Sequence, residues 1–205
     1  SSHSMSCSVI AQDGKGMQRD MWYSVSRLAD ELEDAEAIGR KAAQRALKRL
    51  GARKIATQKL PVIFHAEIAS GIIGHMVGAI RGGSLYRKTS FLLDQLNERI
   101  FPRWLSIVER PRIKKAIASA PFDREGVLTQ DRDIIKNGVL QTYLLDSYSA
   151  RRLNMRSTGH AGGVHNLIVS TSDKSLQDII KDVDKAILVT ELMGQGVNGV
   201  TGDYS

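Results

Sequence analysis

The sequence predicts an α+β fold built from hairpins, mixed sheets and separate helices, and three observations carry that prediction. Glycine-bearing turns join extended segments at Asp13-Gly14-Lys15-Gly16 and at Lys136-Asn137-Gly138, as in β-hairpins. Apolar residues recur at spacings of three and four before Leu50, and helical character returns over Ile68 to Ile80. Strands and helices do not alternate in regular β-α-β order, so a doubly wound parallel sheet is not expected.

Taken in order, the first hairpin joins residues 6–11 to 17–26, where Met21, Tyr23 and Val25 alternate with Trp22 and Ser24. A helix follows, starting between Leu28 and Glu36. Ala35, Ile38, Ala42, Ala46 and Leu50 mark its apolar face, and Gly51 serves as its C-cap. Residues 54–64 read as extended, with Pro61 at a strand start or edge because it has no amide to donate. A domain boundary is placed near residue 58, making 1–58 the end of one domain and 59–205 the first part of the next.

The helix over 68–80 belongs to a stripe of Ser70, Gly74, Gly78 and Gly82 at every fourth position. Each glycine costs a helix about 1 kcal/mol relative to alanine, so a bare stripe implies close packing or a substrate contact. After Arg81-Gly82-Gly83-Ser84, residues 91–93 are expected to be helical or buried, and 105–108 to form a strand. Residues 134–135 and 139–145 flank the Asn-Gly turn. A short helix is expected over 149–155, a loop over 157–164, a strand over 167–170, a helix over 175–183 and a strand over 186–192. The final segment, with Gly194-Gln195-Gly196, Asn198-Gly199 and Gly202, offers no closing element, and both chain ends read as cut.

Apolar residues make up 42% of the chain and charged residues 25%, enough for a packed core. The apolar, uncharged run Ile68 to Ile80 has 13 residues, against about 20 for a membrane span. No membrane anchor or secretory signal is expected. A single cysteine, Cys7, excludes an internal disulfide and suits a reducing, cytoplasmic setting. The net charge of +7 invites a nucleic-acid reading. Eight basic residues fall between Ala37 and Ala66, yet Asp30, Glu31, Glu33, Asp34 and Glu36 precede them, the order a helix dipole favours. A solvated helix face is the simpler expectation, and with no groove-reading element direct nucleic-acid binding is not expected.

None of the histidines, His3, His65, His75, His160 and His165, forms an H-E-x-x-H pair. His65, Glu67 and His75 are a thin metal set, since Glu67 and His75 lie too far apart on a helix to chelate one ion and zinc needs three or four converging ligands. His160 and His165 flank Gly162-Gly163 in a loop, which suits either ligand-facing imidazoles or a hydrogen-bonded turn. Ser84 and Ser157 lack a nucleophile-elbow setting, and the glycine clusters do not match a phosphate-binding loop.

Several long stretches resemble the TldD/TldE (PmbA) family of zinc metallopeptidases, closest to its TldE/PmbA-type subunit. They are GHMVGAIRGGSLYRKTSFLLD (74–94), APFDREGV (120–127), RDIIKNGVLQTYLLDSYSARRLNMRSTGHAGGVHN (132–166) and VTELMGQGVNGVTGDYS (189–205). SCSVIAQDGKGMQRDMWYSVSR (6–27) is similar as well. The resemblance implies a fragment of a two-domain protein that works in a heterodimeric protease on unfolded peptides or peptide precursors. In TldD-type subunits a helix carries a His-Glu pair followed after three residues by a further His. Matching His75 to the end of that motif places Ser70 and Gly71 where the first His and the Glu would stand. The resemblance thus implies no catalytic residue and no metal in this chain, with zinc expected in a TldD-type partner. It implies a heterodimer with that partner or a homodimer, and an extended peptide substrate added as a strand to a sheet edge. Gly82, Gly83, Ser84, Gly159, His160, Gly162 and Gly163 are the candidate peptide- or partner-binding residues. The alternatives are a DNA-associated, gyrase-modulating regulator and a hydrolase centred on His160 and His165.

Overall fold

The computed structural model describes residues 2–14, 16–193 and 196–204. The chain divides into two compact units, residues 1–58 with 114–117 and residues 59–113 with 118–205.

In the first unit, β1 (His3–Gln12) pairs antiparallel with β2 (Met17–Ser26), with Ser6 opposite Tyr23 and Ser8 opposite Met21. The turn closes where the Asp13 carboxylate accepts from the Gly16 amide at 2.8 Å. Helix α1 (Ala35–Lys48) begins where the Asp34 carboxylate accepts from the Ala37 amide at 3.0 Å, an N-cap that supplies one missing partner of the first turn. Ile38, Ala42 and Ala46 are its buried positions, and it packs on both strands of the hairpin. Much of the basic stretch is occupied within this unit. Arg40 pairs with Glu36, Arg45 and Arg49 reach Asp20 at 3.1 and 3.5 Å, and the Lys41 ammonium sits 3.4 Å from the centre of the Trp22 ring.

The second unit is a mixed α/β assembly, so the predicted α+β class holds. β3 (Val62–Phe64) pairs parallel with β8 (Ile187–Val189). Pro61 stands just before β3, and its carbonyl accepts from the Ile187 amide at 3.0 Å, a position that asks no donor of proline. A four-stranded antiparallel sheet runs in the order β6 (Val139–Leu140), β5 (Arg132–Lys136), β4 (Ile107–Glu109), β7 (Leu167–Val169). The β5–β6 turn needs glycine twice over: Gly138 has φ +80°, and a Cβ there would lie 2.1 Å from the Phe101 carbonyl oxygen. Ile80, Leu85, Ile107, Ile134, Ile135, Leu140 and Leu145 form the fully buried heart of the core. Full burial contributes about 1.5 to 3 kcal/mol for each such aliphatic side chain.

Four helices complete this unit: α2 (Ala66–Ala79), α3 (Gly82–Tyr86), α4 (Ser147–Arg152) and α5 (Leu176–Lys181). The glycine stripe does not continue to Gly82 on one helix. Arg81 is extended, with ψ 139°, because the chain there is held by Leu144: the Gly82 amide donates to the Leu144 carbonyl at 2.9 Å, and the Leu144 amide donates to that of Ile80 at 3.0 Å. The same exchange ends β6 at Leu140 rather than at 145. Residues 91–93 are turns rather than helix, with Leu92 buried. Gly194 and Gln195, within the last glycine-rich segment, lie outside the described residues. Among the described residues no helix is long and apolar enough to cross a membrane.

Candidate functional site

The candidate site lies in the second unit, where the loop over residues 157–164 meets the start of α3. Its foundation is Glu109 at the end of β4. One carboxylate oxygen lies 2.8 Å from Nε2 of His160; the other accepts from the His165 amide at 2.8 Å and lies 3.1 Å from its Nδ1. Thr158 Oγ1 lies 2.8 Å from Nδ1 of His160, so both nitrogens of that ring are engaged. The Glu109 and His160 side chains are 2% and 1% exposed. Burial pushes the Glu109 carboxyl up, but the hydrogen bonds from His160 and from the His165 amide outweigh it and hold the group below its ordinary range.

A second carboxylate fixes the loop from outside. Asp123 accepts from the amides of Glu125, Val127 and Ala161, each at 2.9 Å, while the Arg124 amide donates to the Ala161 carbonyl at 2.9 Å. Burial would raise the Asp123 carboxyl, yet the Ala161, Val127 and Glu125 amides together lower it.

Above this framework lies a polar cavity of about 540 Å³. Gly82, Gly83, Ser84, His160, Gly162 and Gly163, separated by some eighty positions in the chain, all line it. Gly159 does not; a Cβ there would lie 3.3 Å from the Leu128 carbonyl oxygen. The glycines have different reasons to be bare. A Cβ on Gly82 would fall 2.1 Å from Ser149 Oγ, so this residue lets α3 approach α4. A Cβ on Gly162 would fall 2.8 Å from Arg124 Cδ, and one on Gly163 2.8 Å from an Arg81 Nη, at φ values of +107° and +118°. Arg81, Arg87, Arg124 and Asp146 line the same cavity and were not among the sequence candidates, although Arg81 adjoins the glycine pair and Arg124 stands in APFDREGV. Ser149 donates to Asp146 from its hydroxyl at 2.6 Å and from its amide at 2.7 Å, which lowers the Asp146 carboxyl and caps α4.

Helix α2 borders a different cavity, apolar and about 340 Å³, lined by Ile72, His75, Met76, Phe91 and Tyr204 among others. His65 is the N-cap of α2, its Nδ1 accepting from the Glu67 amide at 3.4 Å. Ser70 Oγ donates to the Glu67 carbonyl at 2.8 Å. Nε2 of His75 is buried without a hydrogen-bond partner, and its ring meets Tyr204 edge-on at 5.8 Å. Among the described residues a Cβ on Gly74 or Gly78 would meet nothing within 4 Å, so these two positions are open, Gly78 at the edge of the polar cavity, whereas Gly82 is closely packed.

Comparison with known proteins places this architecture. Residues 57–205 match the PmbA/TldA metallopeptidase C-terminal domain, and residues 1–50 match the central domain of the same proteins. The chain belongs to the PmbA/TldA metallopeptidase family. Metalloprotease PmbA of Escherichia coli O157:H7 is 51% identical to it over 99% of this chain and 45% of its own length. A metalloprotease PmbA homolog of Haemophilus influenzae is 49% identical over 100% of this chain and 46% of its own. A crystal structure from Bacteroides thetaiotaomicron, described as a modulator of DNA gyrase, superposes with a TM-score of 0.92 at 34% identity, covering 99% of this chain and 46% of that one. The chain thus spans less than half the length of these PmbA/TldA relatives.

A metallopeptidase family implies a metal, and the donors present decide whether this chain can hold it. Among the described residues no three His, Cys, Asp or Glu side chains are grouped to hold an ion. On α2 of this PmbA/TldA chain, His75 faces an apolar cavity, Ser70 is bonded to its own helix and Gly71 has no side chain. These residues do not fit a zinc ion, which needs three or four ligands at about 2.0 to 2.3 Å.

Proposed function

We propose that this chain is part of a non-catalytic, substrate-organising PmbA/TldE-type subunit that completes a heterodimeric peptidase, with the zinc in a TldD-type partner. The observation that carries the reading is the donor set of α2: His75 has an apolar neighbourhood with Ser70 and Gly71 on the preceding turn, and the carboxylate of the helix, Glu67, stands in its first turn, eight residues before His75. Without a second ligand and without the carboxylate that would activate water, hydrolysis needs the partner's metal. Within this chain the polar cavity is the element suited to substrate. Its backbone is held by the Asp123 and Glu109 networks before any ligand arrives, which lowers the ordering cost of binding. An extended peptide presents backbone groups and termini rather than a shaped surface, and a polar cavity with exposed backbone at its glycines suits such a ligand. The lone Cys7 thiol supports a cytoplasmic setting.

A DNA-associated regulator draws support from the gyrase description of the Bacteroides thetaiotaomicron relative. It is disfavoured by α1, where Arg40, Lys41, Arg45 and Arg49 are already engaged with Glu36, Trp22 and Asp20. Duplex binding with a steep salt dependence would reinstate it.

Reconstitution tests the main reading. Peptide cleavage is measured with the full-length protein alone, with a TldD-type partner alone, and with both. Cleavage that rises on mixing and is absent from this protein alone is the expected result; full cleavage by this protein alone overturns it.

A further inference from the structure

The polar cavity carries more positive charge than its surroundings neutralise. Arg81, Arg87 and Arg124 line it together, and among the described residues none of the three is paired with a carboxylate. Among the described residues Arg87 meets Tyr86, its Nη1 3.4 Å from the hydroxyl and its guanidinium 5.4 Å from the ring centre, and no carboxylate. Asp146 is the one acid on the wall among the described residues; its carboxylate, hydrogen-bonded to Ser149, offsets a single charge against the three guanidinium groups. Three guanidinium groups facing one concavity repel one another unless an anion joins them, and the planar fork of arginine matches the two oxygens of a carboxylate.

The backbone beneath two of these arginines is shaped for them. Arg124 lies against Gly162 and Arg81 against Gly163, closely enough that a Cβ at either glycine would displace its arginine. Both glycines hold a positive φ that other residues rarely adopt. The positions of Arg81 and Arg124 are themselves pinned, Arg81 by the strand-like exchange with Leu144 and Arg124 by the hydrogen bond its amide donates to the Ala161 carbonyl. The loop therefore forms a bed for two guanidinium groups rather than a bare surface.

The geometry points to a carboxylate-binding site: the cavity lined by Arg81, Arg87 and Arg124 takes a carboxylate of the bound peptide. In naming a peptide as ligand this rests on the function proposed above. Two sources carry that group, the peptide's C-terminal α-carboxylate and an aspartate or glutamate side chain.

The test is fluorescence anisotropy with the full-length protein and short labelled peptides of one sequence in four forms. The C-terminus is free or amidated, and an internal residue is Glu or Gln. The carboxylate-bearing forms are expected to bind about tenfold more tightly than the fully neutral form, with the difference shrinking as salt is raised. Loss on amidation assigns the α-carboxylate, and loss on the Glu-to-Gln change assigns the side chain. In the double variant Arg81→Gln/Arg124→Gln the ratio of affinities for charged and neutral peptides should fall to near one. Equal binding of charged and neutral peptides by the wild type, no binding of any form, or an unchanged preference in the double variant overturns the inference. The subunit reading falls separately, on cleavage by this protein alone, whatever the carboxylate preference.

Discussion

The two cavities of the second unit use histidine in opposite ways. Under the polar cavity, His160 is a strut: one nitrogen meets Glu109, the other Thr158, and the ring is almost wholly covered. Beside the apolar cavity, His75 is half-buried with one nitrogen left without a partner. Both residues look alike in sequence, each close to glycine. What separates them is a carboxylate. Where Glu109 stands behind the loop, the imidazole becomes part of a rigid frame; where Ile72, Met76, Phe91 and the Tyr204 ring stand nearby, its Nε2 has no hydrogen-bond partner among the described residues.

The largest expected effect comes from removing the frame. Glu109→Gln leaves His160 and His165 without their shared anion, and a drop of roughly 3 kcal/mol in unfolding free energy is expected by chemical denaturation. A loss under about 1 kcal/mol would mean that the network is not the support described here. The same group sets an acid limb. Its native pKa is lowered, so the stability it contributes is present above the ordinary carboxylate range and is lost as pH falls through that range toward the native value. Wild-type melting temperature should fall over that window, and the fall should be shallower in Glu109→Gln.

Next in size is Gly82→Ala. The new methyl would overlap Ser149 Oγ, so α3 and α4 must separate, and a loss of about 2 kcal/mol is expected from overpacking. An unchanged melting temperature would show that the α3–α4 approach is looser than described.

How much of this was legible in the sequence divides along the same line. The Asp13–Gly16 and Asn137–Gly138 turns and helices α1 and α2 were readable because turn chemistry and apolar spacing are local signals. The parallel pairing of β3 with β8 was not, since strands of three residues bring together Val62 and Ile187 from opposite ends of the unit. Helix α3 was missed because Gly82 reads as the last member of the stripe that begins at Ser70, and the Ser149 side chain explains why glycine is needed there. The glycines around the polar cavity stood out by residue type, whereas Arg81, Arg87 and Arg124 read as ordinary surface charge until the cavity grouped them. The roles of His160 and His165 stayed open because Glu109 lies more than fifty residues away in the chain.

The smaller effects sharpen the apolar side of the comparison and should both be stabilising. His75→Phe keeps a ring against Tyr204 and removes the unpartnered nitrogen, so a gain of about 1 kcal/mol is expected in the same denaturation experiment. Destabilisation instead would reveal a partner for Nε2 that this description lacks. Gly74→Ala meets open space and improves helix propensity, for a gain of up to about 1 kcal/mol. If that variant is more stable yet assembles less well with a TldD-type partner, the open stripe is a contact surface.

Whether α2 can hold a metal is decided by zinc binding to the isolated full-length protein, measured by titration calorimetry and by metal content after dialysis, for wild type and His75→Phe. Metal content far below one ion per chain, with no difference between the two proteins, is the expected result. Stoichiometric zinc in the wild type that is lost in His75→Phe would contradict it.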